Sequence, residues 1–334
     1  MAGSGISLSR HFAMEERRGA LADPALPVLV HQMAFAAKQL ARELRRAALV
    51  GELGLVGERN PTGDAQKKLD VYANRVVVRA MEETDLVAAI VSEELDELRA
   101  VSCDNAADYV LCVDPLDGSS NTDVNASMGT IFSLYRRPGG GVCQDIEGEL
   151  RGAAKLVAAG YVMYGPSTML VYSEGTGVNG FTLDHDVGEF LLSHPDIRVP
   201  ARGRHYSANL GNYQEWDPNI RAFADYMMGR EPYEERPFAL RYSGAMVADL
   251  HRVQLEGGIY FYPADKGHPN GKLRLLYECA PMAFILESAG GRASTGRRRI
   301  LDITPEAIHQ TAPLAIGGKE LVQLYERFAV TGGP

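Results

Sequence analysis

Along the chain the spacing of apolar positions changes several times, and each change marks an element. An Asp23-Pro24 pair, of the kind that caps a helix and opens its first turn, precedes Val30, Met33, Ala37, Leu40 and Leu44 at helical spacing on one face. A second helical pattern follows Asp64, with Leu69, Ala73, Val76, Val77 and Ala80 as its apolar positions. Short continuous apolar runs at 87–91 (VAAIV), 109–113 (YVLCV) and 130–135 (TIFSLY) then predict strands. Two of these runs stop abruptly in acid, one at Ser92-Glu93-Glu94 and the other at Asp114.

Residues 138–142 (PGGGV) read as a loop, and 155–184 alternate β-like runs with glycine-containing turns, which predicts an antiparallel sheet. A break in composition at 194–204 (HPDIRVPARGR) divides the chain into an N-terminal domain, 1–194, and a C-terminal domain, 195–334. Beyond it lie helical patterns at 217–229 and 243–256 and a strand-like stretch at 258–263. A helix from Pro281 to Ala289 is stopped by Gly290-Gly291, and a last helix covers 318–329. With no internal repeat, the mixture predicts a layered α/β (α+β) fold in two lobes.

Composition narrows the classes. Of 334 residues, 46% are hydrophobic and 23% charged, enough for a large core or two lobes sharing an interface. A net charge of −9 argues against extended nucleic-acid binding, and any anionic substrate must be met by metal cations or locally clustered Lys and Arg. Cys103, Cys112, Cys143 and Cys279 form no CxxC pair; Cys112 and Cys279 lie in apolar runs, which predicts buried free thiols in a reducing compartment. No run reaches the roughly twenty apolar residues of a bilayer span. Arg10, Glu15, Glu16, Arg17 and Arg18 interrupt the place of a signal peptide's apolar segment, so the expectation is a cytoplasmic protein without a membrane partner.

Four segments carry candidate chemistry. In 113–121 (VDPLDGSSN) a strand delivers Asp114, Pro115 breaks the ladder, and Asp117 follows, with the Leu116 carbonyl between them. These are hard oxygen ligands of the kind Mg²⁺ prefers, and Gly118, Ser119 and Ser120 supply small residues whose amides can converge on an anion. A tight Asx turn would use the same residues. Glu93 and Glu94 end another apolar run, as ligands near a cation or as part of the solvated acidic stretch 93–98. Asp64 and Asp70 lie about 240° apart on a helix, so for both to serve one site Asp64 must precede the helix and Asp70 lie within it. Asp64 as a plain N-cap and Lys67-Lys68 as a solvated face account for the same segment. Lys272 and Arg274 alternate with leucines and point to one side of a strand, as phosphate ligands or as exposed charges, and Glu278 stands just before Pro281.

Taken in order, the segments 62–74 (TGDAQKKLDVYAN), 92–94 (SEE), 114–121 (DPLDGSSN), 159–171 (AGYVMYGPSTMLV), 240–252 (LRYSGAMVADLHR), 269–284 (PNGKLRLLYECAPMAF) and 301–313 (LDITPEAIHQTAP) resemble the signature series of class I fructose-1,6-bisphosphatases, from about residue 10 to residue 328. That resemblance implies Mg²⁺-dependent hydrolysis of the 1-phosphate of fructose 1,6-bisphosphate by a metal-activated water, in gluconeogenesis or the Calvin cycle. It implies Glu93, Asp114, Asp117, Glu278 and the Leu116 carbonyl as ligands of two Mg²⁺ ions, for which Mn²⁺ can substitute. Asp64 matches a carboxylate associated with a further metal or its water shell, and Asp70 and Glu94 match residues that orient or deprotonate the attacking water. Gly118, Ser119, Ser120 and Arg274 match the receiving site of the 1-phosphate. Asn209, Tyr242, Tyr262 and Lys272 match residues that hold the sugar and its distal phosphate. Arg241 resembles an arginine that reaches a neighbouring subunit's site, which implies a homotetramer.

Some stretches depart from the family pattern. Residues 22–29 (ADPALPVL) and Asp108-Tyr109 stand where animal members build an AMP site with a GTGEL-like helix start and a Lys-Tyr pair, which predicts weak or absent AMP inhibition, although Tyr109 and Arg136 remain. With only Cys143 in 138–150, a dithiol switch within that loop is excluded. Leu210 and Asn212 replace a family glutamate and tyrosine, so the sugar pocket is expected to differ in detail. A sedoheptulose-1,7-bisphosphatase or dual-specificity enzyme is the nearest alternative, and a non-catalytic regulator a remote one.

Overall fold

The runs that end in acid become neighbours. In the computed structural model, which describes residues 5–21, 23–50, 54–59, 65–102, 107–138, 145–230 and 237–334, eight strands form the first sheet. They are β1 (Val87–Ser92), β2 (Arg99–Ala100), β3 (Tyr109–Asp117), β4 (Met128–Arg136), β5 (Lys155–Tyr164), β6 (Thr168–Ser173), β7 (Asn179–Asp184) and β8 (Glu189–His194). Their spatial order is β8-β7-β6-β5-β4-β3-β1-β2, and only β1 and β3 run parallel. The antiparallel β5–β6–β7 meander is the one the glycine-punctuated stretch 155–184 predicts.

The central strands are apolar without alternation because both faces are covered. Phe132, Ala158, Leu170 and Tyr172 face α1 (Leu8–Arg17), α2 (Leu26–Leu44) and α3 (Lys68–Glu82). Their chain neighbours Ile131, Ala159 and Val171 face α5 (Met246–Glu256) and α6 (Ala280–Ser288). Those helices also pack against a second sheet made of β9 (His205–Ser207), β10 (Ala239–Leu240), β11 (Ile259–Tyr262), β12 (Arg292–Ser294) and β13 (Leu314–Gly317), in the order β10-β9-β11-β13-β12. On its far side Tyr206, Phe261 and Ala315 meet α4 (Pro218–Met227) and α7 (Lys319–Thr331) through Phe223, Tyr325 and Phe328. The result is five layers, helix–sheet–helix–sheet–helix, a layered α/β arrangement.

Three elements differ from the sequence expectation. Helix α1, capped by Ser7, is missing from it because only Leu8, His11 and Phe12 are buried, too few to set a period. Helix α2 begins at Leu26, with Asp23 Oδ1 accepting from the Ala25 N–H before the first turn. Residues 271–279 are not a long strand: only Leu273 and Arg274 pair, with Thr311 and Ala312, and Leu275–Cys279 form a π-turn that runs into α6. Cys112 and Cys279 are buried free thiols, as expected; Cys103 and Cys143 lie outside the described residues. Among the described residues no helix is long and apolar enough to cross a membrane.

The contact of α5 with β4 has consequences for the site. Gly129 lies under Val247, and a Cβ there would stand 2.5 Å from the Val247 side chain. Gly129→Ala should therefore lower stability by about 1–3 kcal/mol, the usual range for overpacking. Val247→Ala in the same chain should recover part of that loss. Urea unfolding of the two single variants and the double variant checks this; simple additivity would show that the two side chains do not compete for the space.

Candidate functional site

Register explains how the acids meet. Because β1 and β3 are parallel with Ser92 opposite Val113, both strands deliver their carboxyl-terminal residues to the same end of the sheet. The Glu93 N–H donates to the Val113 carbonyl at 3.1 Å, which sets Glu93 beside Asp114. The β3–β4 ladder loses register between Asp114 and Asp117. Within this bulge the Leu116 N–H donates to Asp114 Oδ1 (3.0 Å) and the Thr130 hydroxyl to the Pro115 carbonyl (2.8 Å). Gly118 follows in the left-handed region at φ +74°, and a Cβ there would lie 2.4 Å from the Ala245 Cβ. The position requires glycine on both counts.

The first turn of α5 completes the anchoring. The Met246 and Val247 N–H groups donate to the two Asp117 carboxylate oxygens at 3.1 and 2.7 Å. A helix N-terminus thus holds this acid in place and favours its charged form. From the opposite side the π-turn carries Glu278, whose Oε2 accepts from the Arg274 N–H at 2.6 Å. The Ser133 hydroxyl of β4 donates to the Leu276 carbonyl at 2.8 Å, satisfying a backbone oxygen of the π-turn.

These groups line a cleft of about 430 Å³. Of the residues singled out in the sequence, Asp70, Glu93, Glu94, Asp114, Leu116, Asp117, Gly118, Ser119, Ser120, Tyr242, Tyr262, Lys272, Arg274 and Glu278 all contribute to its wall. Two do not. Asn209 caps the 3₁₀ turn Leu210–Glu215 through a 3.2 Å bond from the Gly211 N–H. Arg241 lines a larger adjoining groove of about 1000 Å³, which shares only Tyr242 with the acidic cleft. Asp64 lies outside the described residues.

Lys67, read from the sequence as a solvated face, is buried. Its Nζ donates to Asp123 Oδ2 (2.7 Å), the Thr122 hydroxyl (3.1 Å) and the Ser120 carbonyl (3.4 Å), tying α3 to the Ser119–Val124 turn. Its own N–H donates to Asp70 Oδ2 at 2.8 Å. The other Asp70 oxygen is buried without a well-formed hydrogen bond, although the Ser119 side chain lies close enough to favour the charged form. Burial raises the Asp70 pKa nonetheless. Asn74, on the same face one turn on, accepts from the Ser92 hydroxyl at 2.9 Å and so joins α3 to the Glu93 turn. A second residue the sequence did not announce is Asp249, whose two oxygens accept from the Ser243 N–H at 2.9 and 3.1 Å and hold the loop that carries Tyr242. Local spacing gives no sign of the Lys67 role, because Thr122 and Asp123 lie on another element.

Electrostatics sets the character of the cleft. Burial, followed by the charges of Glu93, Asp117 and Glu278, raises Asp114 far above the carboxylate range. Burial pushes Asp117 up to about 7 in spite of the α5 amides, and burial with the Glu93 charge pushes Glu278 up to about 8. Among the described residues no three acids already converge on one point as a closed ligand shell. The donor set is nevertheless that of a hard divalent cation, which takes a few carboxylates and completes its shell with water and substrate phosphate. Buried acids that repel one another are what such a cation relieves.

A layered α/β molecule that sets a cation-seeking acid cluster beside Lys272 and Arg274 in one cleft has the character of a phosphate-ester hydrolase. Residues 6–195 match the family model of the fructose-1-6-bisphosphatase N-terminal domain, and residues 199–330 that of the C-terminal domain. The chain belongs to the class 1 fructose-1,6-bisphosphatase family. A class 1 fructose-1,6-bisphosphatase of Acaryochloris marina is 56% identical over 307 residues, 92% of each chain. That of Chlorobaculum tepidum is 47% identical over 323 residues, 96% of this chain and 97% of its own. The crystal structure of Leishmania major fructose-1,6-bisphosphatase in holo form superposes with a TM-score of 0.91 at 36% identity, covering 97% of this chain and 99% of that one. The family is metal-dependent and acts on a sugar bisphosphate.

The raised acids carry a prediction about stability. A carboxyl whose folded pKa exceeds its unfolded value holds its proton longer in the folded chain. Its contribution is full below the unfolded pKa, near 4, and is lost as pH climbs through the raised values. With a chelator present, the urea midpoint should fall as pH rises from 6 to 8, across the values near 7 and 8 for Asp117 and Glu278. Added Mg²⁺ or Mn²⁺ should restore the midpoint at pH 8. A midpoint indifferent to both pH and metal would contradict the picture of repelling acids.

Proposed function

We propose that the protein hydrolyses the 1-phosphate of fructose 1,6-bisphosphate, giving fructose 6-phosphate and phosphate. The observation that carries this reading is one cleft whose wall combines Glu93, Asp114, Asp117 and Glu278 with Tyr242, Tyr262 and Lys272. One phosphate is consumed at the acids while a second is held away from them. In this reading Glu93, Asp114, Asp117, Glu278 and the Leu116 carbonyl hold two Mg²⁺ ions, with Mn²⁺ able to substitute. Bound, such ions would neutralise charge on the phosphoryl oxygens and acidify the attacking water.

The chain's own groups do the rest. The Gly118–Ser120 turn and Arg274 receive the 1-phosphate. Asp70 and Glu94 orient the water and accept its proton; the raised pKa of Asp70 brings it closer to the range of a working base. Lys272, with Tyr242 and Tyr262, holds the distal phosphate and sugar, so binding energy gained far from the chemistry positions the reacting phosphate. Asp64 and Asn209 keep the supporting roles that the family resemblance gives them. Arg241, outside its own cleft, suits a homotetramer in which it reaches a neighbour's site. The reading places the enzyme in the cytoplasm, with its two domains meeting at 194/195.

Control by AMP is weak or absent in this reading. The Tyr109 hydroxyl donates to Asp23 Oδ2, and Arg136 pairs with the same oxygen at 2.9 Å. The two groups left to greet an AMP phosphate are thus engaged by an internal carboxylate, which would repel a second anion.

Phosphate release measured with Mg²⁺, and with EDTA as control, tests the assignment. Fructose 1,6-bisphosphate should be turned over in a metal-dependent way and inositol 1-phosphate should not, with sedoheptulose 1,7-bisphosphate as the pocket-length comparison. Glu93→Gln should lower kcat by at least about a hundredfold, and Lys272→Ala should raise KM far more than it lowers kcat. AMP should leave the rate unchanged. Metal-independent release, or none from either ketose bisphosphate, would sink the assignment.

A further inference from the structure

The C-terminal segment 301–313 carries one of the family-like motifs, yet none of its residues lines the cleft. It passes close behind two turns that do. The Gln310 carbonyl accepts from the Leu275 N–H at 2.7 Å, which fastens the segment to the start of the π-turn bearing Glu278. The next contact is longer in reach. Tyr277, fully buried in that π-turn, has its hydroxyl 2.8 Å from His309 Nδ1, and His309 Nε2 lies 3.2 Å from the Asp96 carbonyl. Asp96 belongs to the turn that follows β1 and carries Glu93 and Glu94.

Hydrogen-bond chemistry fixes the direction of this chain. A carbonyl only accepts, so the neutral ring must carry its proton on Nε2. Nδ1 is then the acceptor, and the Tyr277 O–H donates to it. All three groups are satisfied by one tautomer. The two rings also meet nearly edge-on, at 73° with centroids 6.0 Å apart, so the imidazole plane is held by packing as well as by bonds. Beside it, Ile308 and Leu98 pack onto one apolar cluster that contains Tyr277, Leu276, Val91 and Cys112.

We propose that His309 is a positioning residue: by joining Tyr277 to the Asp96 carbonyl, it fixes the turn that carries Glu93 and Glu94 against the turn that carries Glu278. Its influence on Glu93, Glu94 and Glu278 passes through the backbone of the two turns that carry them. The consequence for metal affinity rests on the metal reading given above; the ordering of the Glu93 turn does not. Groups one layer behind metal ligands of this kind set affinity by ten- to a hundredfold.

Two side chains separate the halves of the bridge. Asparagine at this position keeps a polar atom where the ring has Nδ1 and loses the donor to Asp96, whereas glutamine keeps an N–H where the ring has Nε2. Amide hydrogen exchange of the full-length, metal-free protein reads the turn directly, and calorimetric titration with Mn²⁺ reads its effect on the site. His309→Asn should raise exchange in residues 94–98 by about fivefold, the equivalent of one lost hydrogen bond, and weaken Mn²⁺ binding on the order of tenfold. His309→Gln loses the Tyr277 half but keeps the bond to Asp96, and the segment stays fastened to the π-turn through the Leu275 N–H bond to the Gln310 carbonyl, so both should stay within about twofold of the parent protein. At saturating metal the KM for the bisphosphate should not move in either variant. A Tyr277→Phe, His309→Leu pair leaves no buried polar group unpaired and should reproduce the exchange increase, which keeps the test usable if His309→Asn unfolds. Exchange in 94–98 that stays at the parent level when the bond to Asp96 is lost, in His309→Asn or in the Tyr277→Phe, His309→Leu pair, or that rises equally in His309→Asn and His309→Gln, would overturn the proposal. Failure of the parent protein to bind Mn²⁺ would instead overturn the metal reading, with the exchange comparison still deciding the role of His309.

Discussion

Mutual repulsion among buried carboxylates is the constraint to which the rest of the structure answers. Glu93, Asp114, Asp117 and Glu278 crowd one cleft wall, and their burial together with their shared charge raises Asp114, Asp117 and Glu278 well above ordinary carboxylates. A cluster of this kind does not assemble itself. Each acid has to be held by backbone that is itself fixed elsewhere, and the fold supplies that backbone from the first sheet, the start of α5 and the π-turn before α6.

Each acid is restrained by a different device. Parallel pairing of β1 with β3 sets Glu93 and Asp114 side by side. A bulge turns Asp117 towards the first amides of α5, which can approach only because Gly118 and Gly129 have no side chains. A π-turn, stapled by Ser133, presents Glu278. Buried Lys67 fastens the Ser119–Val124 turn to α3 and helps seat Asp70. Beyond Lys67, the cations lining the cleft among the described residues are Lys272 and Arg274, the groups that the proposed reading gives to phosphate. The cluster is thus left to be neutralised by cations, and the cleft then changes sign towards an anionic substrate.

Much of this was legible in the sequence, because it is written in short-range order. Apolar runs that stop at Glu93 and Asp114 announce strands with acids at their ends, and the residues around Asp117 and Gly118 announce a turn. Helices α2 and α3 follow from their apolar spacing. What stayed hidden depends on partners far along the chain. Lys67 resembles any exposed lysine until Thr122 and Asp123, some 55 residues away, come to meet it. The π-turn at Leu275–Cys279 follows directly on the strand-like alternation Lys272-Leu273-Arg274-Leu275, and a single extra residue per turn leaves no periodic trace. Helix α1 buries too few residues to show a period. His309 works through a bond to the backbone of a distant loop, which no local pattern encodes.

Before divalent cations bind, the raised acids of the cluster hold part of their protons. Proton release on metal binding tests this most directly, by calorimetric titration of the metal-free protein with Mn²⁺ at pH 7 in buffers of different ionisation enthalpy. Displaced protons should appear as a buffer-dependent heat equivalent to more than one proton per chain, smaller at pH 9, above the values near 7 and 8 for Asp117 and Glu278. Binding heat independent of buffer at pH 7 would mean that the acids are already fully ionised without metal, and would contradict the account.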